Sequence, residues 1–153
     1  MYLVAPVVVF QYDYTMKKIS ILFCSLLSIF IISCNTTKEI PQDLSAPQLL
    51  QKGQSSLDAA DYKMAEAYFL ETINRFGDDT DTYIEAKYEL AHLHIKIKHY
   101  DKAYAELEEI LELYSYAAAG TLPAAYKKLA EIEMSKIPPA KLEELQASSH
   151  PEE

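Results

Sequence analysis

The chain has 153 residues and a formal net charge of −9; half its residues are hydrophobic, 11% are aromatic, and glycine occurs three times. That composition allows one small folded domain, helical in character, and argues against a disordered polyelectrolyte. An acidic chain without a Lys/Arg cluster also argues against a nucleic-acid ligand and against electrostatic adhesion to anionic lipid, both of which need cationic partners.

In chain order, residues 1–15 match no part of a targeting segment, whereas Met16-Lys17-Lys18 has the form of a true start. The expectation is that 1–15 derives from an upstream start and is absent from the natural protein. Lys17 and Lys18 lead into an apolar run from Ile19 to Ile32, then Ser33-Cys34-Asn35. A basic start and a short apolar run make a secretory signal over 16–33; a spanning helix needs roughly 20 apolar residues. Ile31-Ile32-Ser33-Cys34 resembles the lipobox of bacterial lipoproteins, with an aliphatic residue three before the cysteine and a small one just before it. The resemblance implies lipidation of Cys34, cleavage ahead of it, and anchoring by acyl chains, each buried CH₂ contributing about 0.8 kcal/mol. Cys24 lies inside the signal and would leave with it, so the mature domain would have no disulfide, thiol nucleophile or cysteine metal site.

Residues 34–46, polar and carrying Pro41, read as a flexible tether between the lipid and a domain over 47–147. Apolar residues then recur at helical spacing, as in Tyr100, Ala103, Tyr104, Leu107, Ile110, Leu111 and Tyr114. The period predicts an all-α domain with helices near 47–59, 62–76, 82–97, 100–115 and 122–136, and a short sixth near 140–147. Gly77 is expected as a left-handed C-terminal cap, Asp79, Thr80 or Asp81 as the cap of the third helix, and Thr121 as the cap of the fifth. Short loops make neighbouring helices antiparallel. Residues 148–153 read as a disordered tail.

A shift of 38 residues aligns 61–76 with 99–114, with Tyr62/Tyr100, Ala65/Ala103, Ala67/Ala105 and Glu71/Glu109 identical. Internal similarity at such a period points to stacked helical hairpins. The residues resemble the tetratricopeptide repeat: Tyr62-Ala65-Phe69 and Tyr100-Ala103-Leu107 fit its second helix, and Leu90-Ala91 and Leu129-Ala130 its first. The first repeat offers only Lys52-Gly53 at that place, the period is longer than the family's, and the usual terminal proline is missing. The longer spacing, and the passage from Arg75-Phe76 to Ala86-Lys87-Tyr88-Glu89-Leu90-Ala91, are similar to those of periplasmic repeat lipoproteins. The lipoprotein of the outer-membrane β-barrel assembly machine is one of these, although this chain is much shorter than typical members.

The resemblance implies a membrane-anchored scaffold in the bacterial cell envelope, on the outer membrane facing the periplasm. It would bind other envelope proteins or peptide segments, outer-membrane protein assembly being one such setting. The alternative is a ligand-binding accessory lipoprotein of a periplasmic transport system, which a deep closed pocket would favour. The family analogy places binding on a concave face lined by first helices: Leu50, Gln54, Leu57, Glu85, Tyr88, His92, Ile95, Lys96, Lys127, Glu131 and Met134. His92, His94 and His99 lack the i,i+3 or i,i+4 spacing of a helical metal pair and read as solvated or rim residues. Glu106, Glu108, Glu109 and Glu112 read as a solvent-facing acidic stripe. With no phosphate loop, zinc motif or nucleophile elbow, no catalytic residue, metal or cofactor is expected.

Overall fold

The computed structural model describes residues 39–149, so the expectations for 1–15, the signal, Cys34 and the last four residues lie outside it. Among the described residues there are six helices and no strand: α1 Ala46–Asp58, α2 Tyr62–Phe76, α3 Thr80–Lys96, α4 Tyr100–Tyr116, α5 Ala124–Met134 and α6 Pro139–Ser149. The fold is all-α, a short solenoid of helical hairpins. α1 packs on α2, α2 on α3, α3 on α4 and α4 on α5, while α1, α3 and α5 also touch in sequence and form an inner layer. The last pair breaks the pattern, because α6 packs on α4.

The 38-residue period is visible in the backbone. Among the described residues Ala60 and Lys98, 38 apart, are the non-glycine residues with positive φ, at 58° and 62°. The bonds around them repeat as well: Asp61 N–H donates to Ser56 O as His99 N–H does to His94 O, at 2.8 and 2.9 Å. Each turn thus closes its hairpin with one left-handed residue after the first helix, a conformation uncommon outside glycine. Asp61 then caps α2 by accepting from Met64 N–H at 3.2 Å.

Other caps differ from expectation. Asp79 does cap α3, accepting from Thr82 N–H at 2.8 Å. Gly77 is right-handed, with φ −67°; what favours glycine there is the Ile73 carbonyl oxygen, 2.4 Å from where a Cβ would sit. Thr121 is not a cap: its hydroxyl donates to Ala118 O inside the α4–α5 turn, and α5 starts after Pro123, whose carbonyl accepts from Tyr114 Oη at 2.5 Å. Before α1, Ile40 and Leu44 are half-buried and Arg75 Nη1 donates to Pro41 O at 2.9 Å. The segment just before α1 is therefore strapped to α2.

Two apolar clusters share α3. The first joins Leu50, Leu57, Ala65, Phe69, Ala86, Leu90 and Leu93; the second joins Ile84, Ala91, Leu107, Ile110 and Ala130. α3 is thus covered on both sides, and each large aliphatic or aromatic residue it helps to bury contributes roughly 1.5–3 kcal/mol. At each hairpin the inner helix crosses its neighbours at a fully or nearly fully buried small residue, Gly53, Ala91 or Ala130. At Gly53, where the repeat motif looked weakest, the approach is too close for a side chain: a Cβ there would lie 2.3 Å from Cε1 of Phe69. Where the second hairpin pairs Ala91 with Leu107, the first pairs the smaller glycine with the larger phenylalanine.

Candidate functional site on the inner layer

The residues expected on the concave face do not form one exposed surface. Leu50 and Leu57, 6% and 5% exposed, belong to the first core cluster and are withdrawn as surface residues. Tyr88, His92 and Ile95 are half-buried, and Lys127 and Glu131 are exposed. The difference has a physical reason: Leu50 and Leu57 join the core cluster built with Phe69 of α2 and Leu90 of α3, whereas Gln54 between them is exposed, and no further inner helix follows α5 among the described residues. Met134 is half-buried against the second cluster and borders a groove shared with α4 and α6. Lys127 borders a separate recess at the α4–α5 turn with Tyr114 and Leu122. Lys96 is exposed at the end of α3. At α5 the stripe is charged, and Lys128 Nζ lies 3.1 Å from Glu131 Oε2, which gives the last inner helix a polar outer face.

What the fold does assemble is a polar and aromatic seam along the inner layer. Gln54 Nε2 of α1 donates to Glu89 Oε1 of α3 at 2.8 Å. The Tyr88 and Tyr126 rings, on α3 and α5, lie 5.5 Å apart with a 60° tilt, and Tyr88 stacks on His92 at 6.3 Å. Glu133, almost fully buried, is the hub: its Oε1 lies 2.9 Å from His92 Nδ1, 2.6 Å from Lys136 Nζ and 3.5 Å from Tyr88 Oη. Glu89, Tyr126 and Glu133 were not foreseen. A period-based count marks the stacking stripe but not which residues of the adjoining helix meet it.

The electrostatics of the seam are acidic. Burial, then the charges of Glu133 and Glu89, push Tyr88 up to about 12. Burial, then Glu85, also raises Tyr126. Burial raises Glu89 despite the hydrogen bond from Gln54. Burial alone would raise Glu133 too, but hydrogen bonds from Lys136 and His92 outweigh it and hold the carboxyl below its ordinary value. Both tyrosines therefore stay neutral across the physiological range and offer hydroxyls and ring faces beside carboxylates. The cavity on this face, between the start of α1 and the start of α3, measures about 170 Å³ and is bordered by Leu50, Gln54, Thr82 and Glu85.

Two further expectations are corrected. His94 is not a rim residue: it is 1% exposed, with Nδ1 2.8 Å from Glu106 Oε2 and Nε2 3.3 Å from Glu66 Oε1. The acidic stripe of α4 is divided as well. Glu106 serves His94, and Glu109 takes Lys87 Nζ at 2.7 Å and the Tyr83 hydroxyl, so these two tie α4 to α3. Among the described residues no three His, Cys, Asp or Glu side chains are placed to hold a metal ion, and no helix is long and apolar enough to cross a membrane.

A protein of Treponema pallidum (strain Nichols), described as uncharacterized, is 33% identical to this chain over 119 residues, which cover 75% of this chain and 48% of that protein. The chain thus spans about half the length of that relative. No family model and no solved structure matches the chain.

Proposed function

We propose that the protein is a tetratricopeptide-type lipoprotein, anchored through Cys34 in a bacterial cell envelope, whose inner layer docks a segment of another envelope protein. The observation that carries this reading is the row formed by Gln54, Glu85, Tyr88, His92 and Tyr126 across three helices lying side by side. A mixture of aromatic faces and unlike polar groups suits a peptide segment. A cavity of about 170 Å³ on that face is smaller than the roughly 300–1,000 Å³ of most small-molecule sites, which speaks against a small molecule as the ligand of that face. Leu50, Leu57, Lys127, Glu131 and Met134 leave the proposed docking set; Glu89 and Tyr126 enter it. Outer-membrane protein assembly remains the setting suggested by the repeat spacing.

Two arms test the proposal. Feeding cells an alkyne fatty acid should label the protein, and Cys34→Ala should abolish labelling. Affinity purification from detergent-solubilised membranes should recover an envelope protein with the lipidated chain but lose it with Gln54→Arg/Glu85→Arg. Unlabelled protein would sink the anchor, and recovery unaffected by the inner-layer variant would sink the docking face.

A further inference from the structure

A second surface, independent of the inner layer, lies where the solenoid pattern breaks. Because α6 packs on α4 and buries no residue of its own, a groove of about 670 Å³ is left along α4, between α5 and α6. Tyr104, Glu108, Leu111, Glu112 and Ser115 border it from α4, and Met134 and Gln146 from the other two helices. The α4 residues recur at i, i+4, i+7, i+8 and i+11, a single stripe about 16 Å long at 1.5 Å per residue, or three helical turns. Leu111 and Met134 are half-buried apolar side chains. Glu108 and Glu112 put carboxylates beside them, and the Tyr104 hydroxyl donates to Glu108 at 2.7 Å.

We propose that this groove docks a cationic amphipathic helix of another protein, its apolar face on Leu111 and Met134 and its Lys or Arg side chains toward the exposed Glu112. Charge decides the occupant. A second copy of a chain carrying −9 would bring like charge to an acidic rim, and an anionic lipid surface would be repelled in the same way. A helix laid in a groove uses i, i+3, i+4 and i+7 anchors, and three turns supply that set.

The probe is a 14-residue helical peptide of leucine and lysine with one apolar face, set against a leucine and glutamate counterpart, both titrated into the isotope-labelled full chain. The expected result is saturable binding of the lysine peptide only, with amide shifts centred on Leu111, Glu112, Ser115 and Met134. Glu112→Lys, at an exposed helical position, should weaken binding about fivefold and leave the far-ultraviolet circular dichroism unchanged. Equal binding of both peptides, shifts centred on Gln54, Tyr88 and His92, or an undiminished affinity in Glu112→Lys would each overturn the proposal. The inner-layer reading stands or falls separately, since Glu112 is not part of it.

Discussion

Replacing Gly53 by alanine should destabilise the protein, although alanine is the better helix former, and Phe69→Leu should relieve the damage. A Cβ at position 53 would lie 2.3, 2.7 and 2.9 Å from Cε1, Cδ1 and Cζ of Phe69. Carbon atoms settle at about 3.5–4.0 Å, so ring or helix must retreat by about 1 Å. Phe69 is fully buried, so the ring has no free space to take up. Overpacking of this kind costs about 1–3 kcal/mol, and three close ring carbons place it near the upper end. The helix propensity of alanine returns about 1 kcal/mol, leaving a net loss of about 2 kcal/mol. Phe69→Leu alone should cost about 1–2 kcal/mol through the cavity it leaves. The double variant rebuilds the Ala91/Leu107 combination of the second hairpin, where both residues are fully buried. It should be no less stable than Phe69→Leu alone, giving a coupling of about 2 kcal/mol. Urea unfolding of the four proteins measures the cycle, and additive losses would refute the reasoning.

Three further perturbations follow from the polar contacts between elements. Burial lowers the affinity of His94 for its proton, but the hydrogen bond and charge of Glu106, and then those of Glu66, outweigh it, so its folded pKa is raised. Its contribution is complete below the ordinary histidine value of 6.5 and fades as pH rises through the higher folded value. His94→Ala should therefore cost about 3 kcal/mol at pH 6 and clearly less at pH 9 by urea unfolding; an equal cost at both would contradict the imidazolium assignment. Glu133→Leu should cost about 2 kcal/mol near neutrality. Because the folded pKa of Glu133 is lowered, the deficit should shrink as pH falls below 4.5 and through that value, and a deficit that grows instead would show the wrong sign. Arg75→Met should free the strap at Pro41 and speed proteolysis within 39–45 without loss of helical content; unchanged cleavage would mean that the Arg75–Pro41 bond does not hold it.

The architecture was legible because burial follows period. Residues such as Ala65, Phe69, Ala103 and Leu107 repeat at the spacing of one helix face, and every one of them is fully buried. The site was legible only in part. Tyr88 and His92 were picked out because they sit on the stripe that recurs in each first helix, but the same rule selected Leu50 and Leu57, which lie in the core with Phe69 and Leu90. His94 could not be read as buried, because a histidine two residues from His92 on a helix carries no sign of Glu66 and Glu106, which arrive from two other helices. Gly53 was passed over as a weak match, since the reason for it, the Phe69 ring, lies on the partner helix. The groove along α4 depends on where α6 packs, and α6 has little amphipathic pattern to reveal that.

The central claim, that the inner layer docks a protein, is tested most directly by photo-crosslinking in living cells. A photoreactive residue at Gln54 or Glu85 is compared with one at Asn74, exposed on α2 of the outer layer. The account predicts an adduct with an envelope protein from the two inner positions, dependent on Cys34, and none from Asn74. Adducts from Asn74 alone, or none from either inner position, would contradict it.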